Sequence, residues 1–180
     1  MGADKATLWW QGTYLVSHTI GMLREFKFDL ILSVNPGQYS FYQHLFPALP
    51  IIPDNPDIPY EGPVKGVLSV HRNYPTEDLL VVACDLPLIT PGLVQKLMLS
   101  CQLNKGFEVY LYSIDSQYEP LLGIYTSGAL QTLDRQGVNK PPSGMRYLLQ
   151  KLKVSSLELD EQERVQFKNF NTMSDLDSDR

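Results

Sequence analysis

The sequence predicts an α/β fold with a mostly parallel β-sheet and helices on both faces. Short apolar segments typical of strands alternate with segments of helical periodicity along the 180 residues. The strand-like segments are continuously apolar, as in residues 79–83 (LLVVA), which is typical of strands buried on both faces. The apolar fraction of 43% and the charged fraction of 19% indicate a globular chain, and the length corresponds to one domain.

The N-terminal half predicts helices and strands in alternation. The predicted helices cover residues 13–25, 38–46 and 66–71, and the predicted strands cover residues 28–34, 49–52 and 79–83. The turn residues Asn35, Pro36 and Gly37 end the first strand. Residues 54–63, which are rich in Pro and Asp, predict a loop.

The C-terminal half continues the alternation. Thr90 as N-cap and Pro91 at the first helical position predict a helix through Cys101. The remaining predicted strands are residues 107–114, 121–125 and 154–159, and the remaining helices are residues 127–136 and 143–153. We expect residues 1–173 to form a single domain and residues 174–180 to form an acidic C-terminal tail.

Charge and cysteine content exclude several classes of protein. The formal net charge of −5 argues against non-specific nucleic-acid binding, which requires a basic surface. The two cysteines form no CxxC pair, so neither a zinc site nor a disulfide framework is predicted. No apolar run approaches the ~18 residues that a membrane helix needs, and the N-terminus has no signal-peptide core. We therefore expect a soluble cytoplasmic protein that binds neither nucleic acid nor a membrane.

In predicted sheets of this kind, ligands bind at the carboxyl ends of the strands. Asp85 follows the apolar strand 79–83 and is well placed to hold Mg²⁺, which prefers hard oxygen ligands. A turn-capping role explains Asp85 equally well. Lys5 could supply a point charge to a phosphate, although a solvated surface lysine is the ordinary alternative, and the neighbouring Asp4 adds little to either interpretation.

Weaker signals lie beside these two residues. Asn35 and Asp54 follow strands and could bind a base or ribose, but turn chemistry explains both nearly as well. Gly62 and Gly66 flank a loop that opens a helix, whose N-terminus could receive an anion. The three histidines show no metal-ligand spacing, and no Ser-His-Asp or Cys-His arrangement is supported.

A series of short motifs in a fixed order is more specific than any single residue. The motifs are GADKA at 2–6, SVN at 33–35, Asp54, GPVKG at 62–66, CDLPLITPGLV at 84–94, EPL at 119–121 and NFNTMSDL at 169–176. This order resembles the molybdenum cofactor guanylyltransferase (MobA) family of MobA-like nucleotidyltransferases. The resemblance covers residues 1–176 and implies a three-layer Rossmann-like nucleotidyltransferase fold.

The resemblance also implies roles for individual residues. Lys5 and Asp85 correspond to catalytic residues, with Lys5 binding phosphate and Asp85 holding Mg²⁺. The implied nucleotide-binding set is Lys5, Ser33, Asn35, Asp54, Gly62, Gly66 and Asp85. Asn169 and Asn171 resemble residues on the molybdopterin side of the family's site. Ser33 stands where the family often has a base-contacting Asn.

The implied reaction is transfer of GMP from GTP to molybdenum-molybdopterin with release of pyrophosphate. Its implied partners are GTP, molybdenum-molybdopterin, and molybdoenzymes or other proteins of the cofactor pathway. The family's first strand and its Gly-Gly-x-Ser-x-Arg loop have no counterpart here, because the chain begins at a Met-Gly that matches the end of that loop. We expect the neighbours of that strand to be unpaired.

Two alternatives stay open at this stage. The first is a related nucleotidyltransferase, either a CTP-using molybdopterin cytidylyltransferase or a sugar-nucleotide pyrophosphorylase. The short length and the Asn-x-Asn-Thr motif at residues 169–172 disfavour the pyrophosphorylase. The other is a non-catalytic module that binds the cofactor or a partner protein.

Overall fold

The computed structural model describes residues 4–136 and 144–170. The strands are β1 (Trp9–Trp10), β2 (Thr13–Tyr14), β3 (Leu32–Val34), β4 (Ile51–Pro53), β5 (Leu79–Val82), β6 (Val109–Ile114), β7 (Gln117–Tyr125) and β8 (Val154–Glu158). The helices are α1 (Leu15–Leu23), α2 (Tyr39–Leu45), α3 (Pro63–Asn73), α4 (Pro91–Leu103), α5 (Ser127–Gln136), α6 (Met145–Leu149) and α7 (Glu161–Arg164). The predicted alternation of helices and strands is therefore confirmed.

The sheet pairing is mixed rather than mostly parallel. Strands β3 and β4 pair in parallel, as do β6 and β8, whereas β7 runs antiparallel to both β5 and β6. The order in the larger sheet is β5-β7-β6-β8. The β6–β7 pair is antiparallel because a tight turn at Asp115 and Ser116, both of which have positive φ, joins the two strands. A two-residue turn can only connect antiparallel strands.

Alternating side chains place helices on both faces of this sheet. Val109 and Leu111 of β6 pack in a core with residues of α3, α5 and α6. Tyr110 and Tyr112 of the same strand point to the opposite core, which contains residues of α4. Because successive side chains of a strand point to opposite faces of the sheet, alternate residues of β6 belong to two different cores, each covered by helices. The result is a three-layer α/β arrangement, as predicted.

The parallel pair β3–β4 and the larger sheet are separate. Among the described residues, no strand pairing joins β3 to β5. The segments around β3 and β5 nonetheless pack in common cores. Phe28, before β3, packs in the cluster that contains Leu80 of β5, and Cys84, after β5, packs in the cluster that contains Val34 of β3. All four residues of β5 are only half-buried. Among the described residues, β3 is therefore paired only with β4, and β5 only with β7.

The N-terminal segment differs from its prediction. The sequence predicts a helix from residue 13, but β1 and β2 form a short antiparallel hairpin before α1 begins at Leu15. Trp10 is buried and Trp9 is 56% exposed, so only one tryptophan of the pair joins a core. In the part of the chain that the structure describes, no helix combines the length and the apolar character needed to cross a membrane.

Candidate functional site at the carboxyl ends of β3, β4 and β5

Asp85 lies three residues beyond the end of β5 and is half-buried. Burial raises the pKa of the Asp85 carboxyl, while the nearby Lys5 ammonium and a backbone hydrogen bond lower it. Lys5 belongs to a 3-10 turn, Lys5–Thr7, and is exposed. The fold therefore places an ammonium in the electrostatic field of a partly desolvated carboxylate, although the two residues are 80 positions apart in the chain.

Asp4 holds the turn that carries Lys5. Its Oδ1 accepts a hydrogen bond from the backbone N–H of Ala6 at 3.1 Å, which caps the turn. Its Oδ2 accepts from Gln38 Nε2 at 2.6 Å and from the hydroxyl of Tyr42 at 2.7 Å. Tyr42 is 2% exposed, and both burial and the Asp4 carboxylate raise the pKa of its hydroxyl, which stays a donor. The carboxylate thus joins the N-terminal turn to α2.

The same network reaches the loop after β3. Asn35 is exposed, and its backbone N–H donates to Gln38 Oε1 at 2.9 Å. The N–H of Gln38 donates in turn to the Asn35 carbonyl at 2.9 Å. Asn35 is therefore linked to the Lys5 turn through one glutamine side chain and the Asp4 carboxylate.

Ser33, Asp54 and Gly66 form a second group at this edge. A Cβ at Gly66 would lie 2.7 Å from Oγ of Ser33 and 3.5 Å from Oδ1 of Asp54. Only glycine lets the first turn of α3 approach these side chains so closely. The structure thus brings together three residues that the sequence predicts to bind a nucleotide.

Asp54 extends the backbone pairing at the end of β4, where its N–H donates to the Val34 carbonyl at 2.9 Å. Burial raises the pKa of the Asp54 carboxyl, Lys65 lowers it and Glu61 raises it. Desolvation acts on the charged form of this acid. A hydrogen-bond donor from a ligand would stabilise the carboxylate in this half-buried position.

Gly62 precedes α3 with φ of 61° and ψ of −146°. This region is accessible essentially only to glycine, because a Cβ would clash with the backbone. Pro63 then begins the 11-residue helix at its first position, where a missing N–H costs nothing. Gly62 and Gly66 therefore both serve the approach of α3 to the edge of the sheet.

The C-terminal segment is hydrogen-bonded to Asp85. The N–H of Phe170 donates to the Asp85 carbonyl at 2.9 Å, and the Phe170 ring is fully buried against Trp10. Asn169 is exposed beside this anchor. Asn171, also predicted on the molybdopterin side, lies outside the described residues, as do Gly2 and Ala3 of the first motif.

The EPL motif also has a defined place. Glu119 in β7 accepts from Arg146 Nη2 at 2.7 Å, and Arg146 Nε donates to the Tyr118 carbonyl at 2.8 Å. Burial raises the pKa of the Glu119 carboxyl, and Arg146 lowers it. This pair anchors α6 on the larger sheet.

The donor set fits Mg²⁺ that is shared with a ligand. The described residues contain no group of three or more His, Cys, Asp or Glu that could hold a metal ion by itself. Mg²⁺ is commonly bound by one or two carboxylates together with substrate phosphates. Asp85 can supply such a carboxylate, whereas both oxygens of Asp4 already accept hydrogen bonds.

An open groove of about 420 Å³ lies between α1 and the loop that follows Asp85. His18 Nε2 lies 3.0 Å from the Pro87 carbonyl in this groove, and the His18 ring packs edge-on against Trp10. Burial lowers the pKa of His18, which favours the neutral imidazole as the donor to Pro87. This contact fixes the loop to α1.

Sequence reasoning missed Asp4, Gln38 and Tyr42. Their contacts span 34 and 38 positions, which no local pattern reveals. One local signal existed, because an Asp before a short turn is a typical capping residue.

The layers and the strand-end site define a class, the Rossmann-like α/β domains that bind ligands at one edge of the sheet. The family model described as a MobA-like NTP transferase domain matches residues 1–156. The chain belongs to this family.

Relatives agree with this assignment. The chain is 26% identical over 136 residues to a probable molybdenum cofactor guanylyltransferase of Clostridium perfringens, covering 76% of this chain and 64% of that protein. It is 27% identical over 174 residues to the molybdenum cofactor guanylyltransferase of Pseudomonas entomophila, covering 95% and 86% of the two chains. The chain thus spans 64% of the length of the Clostridium relative.

A solved structure shares the fold. It is the molybdopterin-guanine dinucleotide biosynthesis protein A of Archaeoglobus fulgidus, which has a TM-score of 0.76 at 21% identity. The match covers 98% of this chain and 89% of the other. This agreement confirms the predicted Rossmann-like α/β class.

Proposed function

We propose that this protein is a molybdenum cofactor guanylyltransferase, which transfers GMP from GTP to molybdenum-molybdopterin and releases pyrophosphate. The observation that carries the proposal is the match of residues 1–156 to the MobA-like NTP transferase domain. Within that domain, the Lys5 ammonium is near enough to Asp85 to lower the pKa of its carboxyl. The names of the relatives from Clostridium and Pseudomonas support the choice of reaction.

The proposed reaction is a displacement at phosphorus. A terminal phosphate oxygen of molybdopterin attacks the α-phosphorus of GTP, a new P–O bond forms, and the bond to the β-phosphate oxygen breaks. The electron pair of that bond leaves with pyrophosphate. Such a transfer needs positioning and charge stabilisation rather than a protein nucleophile.

The residues of this chain have distinct parts in that reaction. Lys5 offsets the charge that develops on the phosphate oxygens. Asp85 holds Mg²⁺, which when bound would neutralise phosphate charge as a Lewis acid. Ser33, Asn35, Asp54 and the backbone between Gly62 and Gly66 receive the nucleoside. By resemblance to the family, Asn169 and Asn171 contribute to binding of molybdopterin.

A cytoplasmic location is part of this proposal. It is supported by the chemistry of the cysteines, because Cys84 and Cys101 are both free thiols. Burial and two neighbouring carboxylates raise the pKa of Cys84 to about 12, so this thiol is unreactive at neutral pH.

Calorimetry with MgGTP and MgCTP tests the nucleotide assignment. We expect MgGTP to bind at least about tenfold more tightly than MgCTP, a difference of about 1.4 kcal/mol. Removal of Mg²⁺ with a chelator should weaken GTP binding. Pyrophosphate release on addition of molybdenum-molybdopterin then tests the transfer itself.

The two alternative hypotheses, a cytidylyltransferase and a non-catalytic module, predict other results. Tighter binding of CTP would favour assignment of the chain to the cytidylyltransferases. Absence of binding to either nucleotide would favour a non-catalytic module that holds the cofactor or a partner protein. Molybdopterin binding without nucleotide binding would identify that module directly.

A further inference from the structure

We propose that Asp4 is a positioning residue that fixes the Lys5 ammonium relative to Asp85 and couples it to the loop carrying Asn35. This inference rests on the proposed function, because it assigns a role to Asp4 through Lys5. The Asp4 side chain is half-buried and contacts three separate parts of the chain.

The first step of the argument is the orientation of the turn. Oδ1 of Asp4 accepts from the Ala6 N–H, and the Asp4 carbonyl accepts from the N–H of Thr7 at 3.1 Å and its hydroxyl at 2.8 Å. Asp4, which precedes Lys5, is thus bonded to Ala6 and Thr7, the two residues that follow Lys5. The backbone from which the lysine side chain extends is therefore held by the residue before it.

The second step is the connection of the turn to the rest of the fold. Oδ2 of Asp4 receives two donors, Gln38 Nε2 at 2.6 Å and the Tyr42 hydroxyl at 2.7 Å. Tyr42 is buried in a core with Val16, Ile20 and Val34, so it is a rigid partner. Hydrogen bonds to an ionised acceptor are stronger than neutral ones. The carboxylate thus fastens an exposed turn to a packed core.

The third step is the coupling to the nucleoside side. Gln38 uses its amide nitrogen on Asp4 and its amide oxygen on the Asn35 N–H. It cannot reverse its amide toward Asp4 without releasing Asn35. The lysine on the phosphate side and the asparagine on the nucleoside side therefore depend on the same carboxylate.

The isosteric variant Asp4→Asn disrupts this arrangement. An amide offers one oxygen and one NH₂ group, so it cannot accept on both sides. Either the Ala6 N–H or the Gln38 amide nitrogen would then face the NH₂ group, which is also a donor, whereas the Tyr42 hydroxyl can turn to accept. Asp160→Asn is the matched control, because Asp160 accepts from the Glu163 N–H at 2.8 Å at the start of α7 and belongs to no part of the site.

The kinetic test compares Asp4→Asn, Lys5→Met and the double variant. We expect Asp4→Asn to lower kcat about tenfold or more, since small misplacements of a charged group are costly, and to raise KM for the nucleotide as well, because the loop that carries Asn35 loses its link to the same carboxylate. The kcat of the double variant should match that of Lys5→Met alone. Fold-losses that multiply in the double variant, or unchanged kcat in Asp4→Asn, would overturn the positioning role.

Amide hydrogen exchange tests the hydrogen bond from the Ala6 N–H to Asp4, here called the clamp, in the absence of nucleotide. We expect exchange at the Ala6 N–H to rise about tenfold or more in Asp4→Asn and to stay unchanged in Asp160→Asn. Unaltered exchange at Ala6 would contradict the clamp. If Ala6 exchange rises while Lys5→Met retains full turnover, the clamp exists but the proposed function of Lys5 fails, so the two failures are distinguishable.

Discussion

The backbone N–H of Phe170 donates a hydrogen bond to the carbonyl of Asp85 at 2.9 Å. The bond joins residues 85 positions apart and fixes the C-terminal segment against the end of the β5 edge. Asn169 directly precedes Phe170, which is bonded to Asp85, the proposed Mg²⁺ ligand. The nucleotide side and the molybdopterin side of the proposed site thereby share one backbone contact.

Replacement of Asp85 by Asn should separate activity from stability. We expect turnover to fall by about 10²- to 10³-fold, which is typical for loss of one electrostatic group at a reacting centre. Because burial raises the pKa of this carboxyl, the folded state disfavours its charge, and Tm should stay equal or rise. Pyrophosphate release and thermal denaturation measure the two effects. Asp160→Asn serves as control, and turnover equal to that of the unsubstituted chain would contradict the assignment.

Replacement of Gly66 by Ala should displace the Ser33 hydroxyl. The new Cβ would lie 2.7 Å from Ser33 Oγ, and this exposed side chain can rotate away at little cost to stability. We expect affinity for MgGTP to fall about tenfold because the nucleoside group is disturbed. Calorimetry measures the affinity.

Gly92→Ala is the matched control for Gly66→Ala. Its Cβ would meet only Thr90 Oγ1 at 3.7 Å, an ordinary contact near the start of α4. We expect it to stabilise the fold by about 0.4–1 kcal/mol without a change in affinity. A Ser33→Ala, Gly66→Ala double variant should bind MgGTP as Ser33→Ala alone does, because the effect of Gly66→Ala acts through the Ser33 hydroxyl. Equal affinities for Gly66→Ala and Gly92→Ala would show that the close approach does not matter.

His71 should make the fold less stable in mild acid. It is 4% exposed, and in the described part of the chain its Nδ1 has no hydrogen-bond partner. Burial lowers its pKa below 6.5, while Asp134 raises it by a smaller amount. The folded state therefore favours the neutral imidazole, and its contribution to stability is present above about pH 6.5 and lost as the pH falls.

Denaturant unfolding from pH 7.5 to 5 tests this sign. His71→Met removes the titrating group. The dependence of the unfolding free energy on pH should therefore become weaker in this variant, by up to about 1.4 kcal/mol per pH unit. His44→Gln removes an exposed histidine from α2 and is the control. Parallel curves for the unsubstituted chain and His71→Met would refute the prediction.

Replacement of Phe170 by Ala should destabilise the whole domain. The ring is fully buried, contacts Trp10 edge-on at 5.8 Å between centroids, and packs with Leu15. Loss of a buried Phe costs about 3–5 kcal/mol in the free energy of unfolding. Phe107→Ala, at a ring that is 40% exposed, should cost much less. Similar losses for both variants in urea unfolding would mean that the C-terminal segment is not part of the cooperative core.

Most elements could be predicted because the signals for them are local. Thr90 and Pro91 marked the start of α4, and the apolar run 79–83 marked β5. Boundaries were less accurate, since α3 extends from Pro63 to Asn73 rather than over residues 66–71. The predicted strand 28–34 is reduced to Leu32–Val34, because only those residues find a hydrogen-bonded partner in β4.

The roles of the candidate site residues stay predictions, but the structure shows where they lie. Lys5 is near enough to Asp85 to lower the pKa of its carboxyl, and Gly66 lies close to Ser33 and Asp54. The prediction of a mostly parallel sheet was wrong for β7, because a continuous apolar run shows that a strand is covered on both faces and does not fix the direction of its partner. The turn at Asp115 and Ser116 alone reverses the chain there.

The sequence by itself determined the class of fold, the family, and the residue types available at the ends of the strands. Periodicity and capping act over a few neighbours, so they can be read from the chain directly. Only the tertiary structure decided that Asp4 fastens the Lys5 turn to Tyr42, and that Phe170 bonds to Asp85. These contacts join distant positions, and their energies depend on burial and orientation that exist only once the chain is packed.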